Sequence, residues 1–273
     1  MTRIQTFLLL FILMLIPMKA QDFALFPSAL QFKPLVANFL EPRIGFHFKT
    51  GKNDLRLDIG ASRDIFHLSS ASGKWSAGAD FFTYTKLRGE KDFHFPVDAV
   101  DYLFGFNGAW EKEINGVEYS ARLRFSHISA HMVDGHYVQS TKSWRDGRNP
   151  IVYSREFLEL MPAIKLGDFR GYAGFTYLIH TTPSTIKKTI LQAGAEIFPD
   201  ALSYKSLYPF AAFDWKVADD DKFSSTYMVG VKFGNVDAGG LSLVLTYYTG
   251  FDVHGEYYDV RDEHFSVGFN IDL

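Results

Sequence analysis

From Arg43 onward the chain alternates, residue by residue, between apolar and polar or small positions. Ile44, Phe46 and Phe48 are separated by Gly45 and His47, and Leu55, Leu57, Ile59 and Ala61 by Arg56, Asp58 and Gly60. Tyr119, Ala121, Leu123 and Phe125 interleave with Ser120, Arg122 and Arg124, and Phe265, Val267, Phe269, Ile271 and Leu273 with Ser266, Gly268, Asn270 and Asp272. A period of two belongs to strands with two unlike faces. Segments of this kind fall at 43–50, 55–66, 74–86, 100–112, 117–130, 151–166, 169–181, 185–198, 207–217, 223–234, 241–252 and 263–273. Their number is even, as a single-chain barrel requires, and each has room for a tilted spanning strand of ~9–11 residues and a connection. A soluble sandwich would alternate too. Here, however, the apolar face is dense in Phe, Tyr, Leu and Val while the other carries Arg, Asp, Glu and His, so the first suits lipid and the second a polar lumen. The pattern predicts an all-β fold: a transmembrane antiparallel β-barrel of 12 strands.

The connections give the barrel a direction. Three long ones, 87–99, 131–150 and 253–262, follow the third, fifth and eleventh segments and therefore share one end. Connections at the other end are mostly shorter: Gly167-Asp168, and 113–116 with its Asn115-Gly116 hairpin signal. The stretch 199–206 is a moderate exception. Outer-membrane barrels carry long loops outside and short turns in the periplasm, which predicts that both termini are periplasmic.

The first residues point to the same compartment. Arg3 precedes an apolar run over 7–16, and Pro17-Met18-Lys19-Ala20 ends in a small residue, so 1–20 reads as a signal peptide. No later apolar stretch approaches the ~20 residues of a spanning helix. Residues 21–41, with two prolines and no clean period, form an N-terminal segment at the periplasmic rim or in the lumen, and 42–273 form the barrel.

Composition narrows the chemistry. The chain has 28 Lys and Arg against 31 Asp and Glu, and no cysteine. This excludes a strongly basic nucleic-acid binder, a disulfide-stapled domain and any thiolate metal site or nucleophile. With 27 Phe and 14 Tyr the chain holds ample apolar surface for an ordered structure.

Short motifs run through nearly the whole mature chain: Phe26-Pro27, Pro34-Leu35-Val36-Ala37, Glu41-Pro42-Arg43, Phe125-Ser126-His127-Ile128-Ser129-Ala130-His131-Met132-Val133-Asp134, Ser154-Arg155-Glu156, Arg170-Gly171-Tyr172-Ala173-Gly174 and Tyr247-Tyr248-Thr249-Gly250. In these the chain resembles a family of bacterial outer-membrane proteins with a domain of unknown function, departing from it at Ala130 and Gly135. The resemblance implies a barrel in the outer membrane of a Gram-negative bacterium and brings no activity with it. Barrels of this kind usually end on an aromatic residue read by the barrel-assembly machinery; here Phe269 and Ile271 lead to a terminal Leu273.

One constellation carries candidate chemistry. His127 and Ser129 lie two apart, on one face of a strand and about 6.6 Å along it. Glu118, Ser120, Arg122 and Arg124 take the lumenal parity, so His127 and Ser129 take the outward one, near the long-loop end. This arrangement resembles outer-membrane phospholipase A and the outer-membrane lipid A deacylase, which use a His-x-Ser pair on the outer face. The resemblance makes Ser129 the nucleophile and His127 the general base, with Asn149 or Asp134 to orient the imidazole and Glu156 as a further candidate. A metal site from His127, His131, Asp134 and His136 is disfavoured, because four residues of straight strand span ~13 Å. No cofactor is expected, calcium entering only with the esterase reading.

Inward positions also include Arg56 and Asp58. Charges of both signs in a lumen narrower than that of a ~16-stranded porin suit a narrow channel or a closed surface protein. The leading reading is therefore an outer-membrane barrel of no assigned activity, either narrow channel or surface structural protein, with a lipid-face esterase as the alternative. Outer-membrane lipids and the assembly machinery are the expected partners, nucleic acid is not, and the oligomeric state stays open.

Overall fold

The computed structural model describes residues 22–218, 222–237 and 239–272. The expected signal peptide and the terminal Leu273 lie outside these residues. Twelve strands form the barrel: β1 (Ile44–Lys49), β2 (Asp54–Ser70), β3 (Gly73–Arg88), β4 (Val97–Ile114), β5 (Val117–Met132), β6 (Tyr153–Leu166), β7 (Phe169–Thr182), β8 (Thr189–Ile197), β9 (Leu207–Val217), β10 (Phe223–Gly234), β11 (Gly240–Phe251) and β12 (Arg261–Asp272). Each pairs antiparallel with its neighbours in sequence, and β12 pairs with β1 from Ser266↔Lys49 to Ile271↔Ile44, which closes the sheet. Every one of the twelve predicted segments carries one of these strands. Closure removes the free edges that a lipid environment cannot satisfy. Among the described residues no helix is long and apolar enough to cross a membrane.

The two faces differ as the period requires. Phe48, Phe81, Phe104, Phe106, Leu123 and Phe125 stand outward and about half exposed or more, with no protein layer over them. Ser120, Arg122, Arg124 and Ser126, the alternate residues of β5, are buried inside. Asn115 (φ 53°) and Gly116 (φ 78°) both have positive φ, the conformation that joins β4 and β5 in a two-residue turn. The connections 89–96, 133–152 and 252–260 emerge at one end, and the turns at 71–72, 115–116 and 167–168 at the other, together with the described N-terminus and the end of β12.

The N-terminal segment settles the lumen. A short strand, Asp22–Leu25, pairs with Phe66–Ser69 of β2, and the chain then turns inward as a plug. Leu35, Asn38 and Glu41 are fully buried, and Phe32, Ala37 and Leu40 nearly so. Leu35 and Phe32 pack on Met161, Ala163 and Tyr172, Ala37 packs on Phe210 and Met228, and Leu40 joins Phe82, Leu103 and Phe157. Buried positions run from Phe32 to Glu41, while Ser28 and Ala29 are exposed.

The inward charges serve the plug. Glu41 takes both terminal nitrogens of Arg122, at 2.8 and 2.7 Å, and one of Arg124, at 3.2 Å. Glu159 accepts from Arg122 at 2.9 Å, and Asp80 lies 3.0 Å from Nε of Arg124. Arg56 binds Asp58 at 2.6 Å and donates to the carbonyl of Phe39 at 2.7 Å. Glu118, at the short-turn end of β5, stays outside this network. The cluster and three apolar clusters obstruct the lumen, so the intact protein is expected to be silent in planar bilayers. Deletion of residues 22–41 should produce discrete conductance steps in the same recordings, as water replaces the plug and rehydrates Arg122 and Arg124.

Candidate functional site

The outward parity of β5 reaches the long-loop end with polar residues where aliphatic ones would be expected. His127 and Ser129 both face outward, His127 beneath Phe104 with ring centroids 4.9 Å apart. Register brings β6 alongside: His127 lies opposite Glu156 and Ser129 opposite Ser154. Nδ1 of His127 is hydrogen-bonded to Oε1 of Glu156 at 2.6 Å. The other carboxylate oxygen, Oε2, meets Nδ1 of His180 on β7 at 2.9 Å. A chain of imidazole, carboxylate and imidazole thus crosses three strands, with the Ser129 hydroxyl two residues further along β5.

Neither residue expected to orient His127 touches it. Asp134 is exposed at the start of a single turn, Asp134–His136, and Asn149 is exposed at the end of the long loop. The loop packs on the neighbouring connections, with Arg148 on Glu256 and Asp259 and His136 beside Asp98, while a neighbouring strand is held ~4.8 Å from β5 by its ladder. A group on β6 therefore reaches the imidazole and a loop group does not. Glu156, the further candidate, is the carboxylate in contact with the imidazole. The other histidines separate as well: His131 points outward beside Tyr102, and His136 is buried, hydrogen-bonded to the Arg145 carbonyl at 3.1 Å and lying 3.2 Å from Asp98.

His180 is the member that the period of two could not locate. Counting from Phe169, even positions of β7 point inward, and Leu178 does so, fully buried. The register shifts between Leu178 and His180, and this bulge turns His180 outward onto Glu156. Glu156 itself was legible: on β6 it alternates with buried Phe157 and shares its parity with outward Leu158 and Leu160, a carboxylate at an apolar position.

The strand ends above the site are anchored. Glu256, buried in the β11–β12 connection, accepts the backbone N–H of Met132 and that of Ile151, each at 3.0 Å. Its carbonyl accepts from Nε of Arg148 at 2.7 Å. The ends of β5 and β6 are thereby held on one carboxylate, which fixes the frame on which His127, Ser129 and Glu156 stand.

In the resting structure no hydrogen bond joins His127 to Ser129. Such contacts tighten when substrate is bound, and the free edge of the ring, Nε2, is the one available to the hydroxyl. Hydroxyl, imidazole and carboxylate thus follow one another in the order that acyl transfer uses.

The fold has solved counterparts. Outer membrane phospholipase A from Escherichia coli matches with a TM-score of 0.55 at 9% identity, over 90% of this chain and 96% of that one. The Salmonella typhi outer membrane phospholipase, described as a dimer with bound calcium, matches with a TM-score of 0.52 at 11% identity, over 89% of this chain and 94% of that one. At such identities the likeness is one of fold, that of outer-membrane barrels. No curated protein matches the chain by sequence. Residues 95–272 match the family described as protein of unknown function (DUF1207), and the chain, most of it covered by that match, belongs to this family.

Proposed function

We propose that this protein is an outer-membrane esterase that cleaves acyl esters of membrane lipids at its outer face, with Ser129 as nucleophile, His127 as general base and Glu156 as the orienting acid. The observation that carries the reading is the 2.6 Å contact between His127 and Glu156 at outward positions of the wall, beneath Phe104. An ionisable pair on a lipid-facing surface is costly unless it serves chemistry. In the proposed reaction Oγ of Ser129 attacks the ester carbonyl carbon as Nε2 of His127 takes its proton. The imidazolium then hands that proton to the departing alcohol, and water, activated by the same imidazole, releases the fatty acid from the serine. Glu156 holds Nδ1–H throughout and stabilises the positive ring.

With both termini in the periplasm, the site lies in the outer leaflet, where a lipid ester reaches it from the side. The plugged lumen favours this surface role over a channel. The likeness to outer membrane phospholipase A supports a lipid setting, and outward Phe269 and Ile271 near the end of β12 suit recognition by the barrel-assembly machinery.

The test is fatty-acid release from phospholipid and lipopolysaccharide in mixed micelles, with and without calcium, by the refolded protein. Ser129→Ala and His127→Ala should each lower release by roughly 10³-fold or more. Release by a folded wild type no greater than that of Ser129→Ala would sink the proposal.

A further inference from the structure

The short-turn end of the barrel, opposite Ser129, holds a cavity of about 550 Å³, within the ~300–1,000 Å³ of small-molecule sites. Its mouth lies among the connections after β6, β8 and β10, where exposed Asp168, Asp200 and Asp237 line it, and Pro34, Leu35 and Val36 of the plug close it from within. Its walls combine two chemistries. Phe198 and Phe210, ring centroids 5.1 Å apart, supply an aromatic surface. Lys232, Ser242 and Asn270 supply a polar row, opposite one another on β10, β11 and β12.

The charges of the cavity do not cancel at its inner end. Arg43, just before β1, lines the cavity and is 9% exposed. Its guanidinium is held by the carbonyls of Val36 at 3.2 Å, Glu41 at 3.1 Å and Asn38, which use three of its five N–H groups. Among the described residues no carboxylate forms an ion pair with it. The other cations of the cavity are answered: Arg170 by Glu196 at 3.0 Å, Lys232 by Asp272 at 2.8 Å, and Lys33 and Lys165 by the single carboxylate of Asp237. Glu196 also accepts the Val36 N–H at 2.9 Å, so its charge is already spent within the protein. Asp168 and Asp200 stand in water at the mouth, where screening weakens them. A buried charge is ordinarily paired, and here the protein surrounds one with dipoles alone.

We propose that this cavity binds an anionic sugar from the aqueous compartment on the short-turn side, with its phosphate or carboxylate on Arg43, its ring against Phe198 and Phe210, and its hydroxyls on Ser242 and Asn270. The C–H face of a sugar ring is apolar and suits an aromatic wall, while its hydroxyls need donors and acceptors. Oδ1 of Asn270 is taken by Nε2 of His47 at 2.9 Å, which leaves the amide N–H groups for the ligand. The Ser242 hydroxyl has no hydrogen-bond partner among the described residues and can donate or accept. The anion supplies the one charge that the chain does not. The site lies at the opposite end of the barrel from Ser129, and this inference does not rest on the esterase reading.

The test is isothermal titration calorimetry of the full-length protein, refolded in detergent micelles at low ionic strength. The probes are glucose 1-phosphate, glucose 6-phosphate and glucuronate, with glucose and inorganic phosphate for comparison. At least one anionic sugar should bind more tightly than glucose and than inorganic phosphate by roughly tenfold or more, the scale of one charge-assisted hydrogen bond. Arg43→Gln should weaken that binding by about the same factor. Ser242→Trp, which puts an indole into the cavity from a position whose hydroxyl bonds nothing in the protein, should abolish it, and Ser129→Ala should leave it intact. Absence of binding by all three anionic sugars would overturn the proposal, as would inorganic phosphate binding as tightly as they do. Binding unchanged in a Ser242→Trp protein whose gel migration still shifts on boiling would overturn it too. That variant decides the matter if Arg43→Gln, which also loosens the plug, does not refold.

Discussion

Replacing Glu41 by Ala should destabilise the folded barrel by about 3–5 kcal/mol, the cost of removing one partner from a buried ion-pair network. Arg122 and Arg124 are 4% and 0% exposed, and Glu41 answers both, so its loss leaves two guanidiniums to share Glu159 and Asp80. Water cannot take its place while Phe32 lies 4.8 Å from the Arg122 guanidinium and the plug fills the space around it. Urea unfolding of the protein in detergent micelles, followed by intrinsic fluorescence, measures the effect. Glu41→Gln should cost less, since the amide oxygen keeps one contact. A Glu41→Ala protein within about 1 kcal/mol of the wild type, well below the range for a broken buried pair, would show that the plug is not held by this network.

Glu156→Gln should lower kcat for lipid-ester cleavage by roughly 10³–10⁴-fold, the scale seen when an orienting carboxylate is made neutral. The substituted amide can still meet Nδ1 of His127, but it neither fixes the tautomer with a proton on Nδ1 nor stabilises the imidazolium formed in the transition state. KM should change little, because Glu156 touches the imidazole and not the acyl chain. His180 binds the other oxygen of Glu156 from an exposed position, so His180→Ala should cost far less, about tenfold, the size of losing one outer hydrogen bond on a ligating or catalytic group. Steady-state release on one lipid separates the two parameters. A loss confined to KM would assign Glu156 to substrate binding and remove it from the proton pathway.

Much of the architecture was legible because the period of a strand is a local property. Residues two apart share a face whatever the rest of the chain does, so the alternation at 117–130 placed Arg122 and Arg124 inside and His127 and Ser129 outside, as found. Strand count and the shared end of the long connections followed from the same regularity, since antiparallel strands joined in sequence must alternate direction. The candidate site was half legible. The His-x-Ser pair is contiguous, and Glu156 was named only as a further candidate beside Asn149 and Asp134, which come sooner after Ser129. Loop residues near in sequence are drawn onto the other connections, as Arg148 is onto Glu256, whereas β6 is brought back against β5 by ladder and turn choices that no local pattern records.

Local pattern was enough for the all-β class, the twelve strands, the two faces and the pair His127 and Ser129, because each depends on short-range geometry and on which side chains tolerate lipid. The remaining features needed the folded chain. Residues 32–41 pack inside the ring of strands, where Glu41 meets Arg122 from 81 positions away in sequence. A bulge turns His180 outward onto Glu156. These features arise from register and closure, which depend on how all the strands fit around one circumference and what must fill the space they enclose.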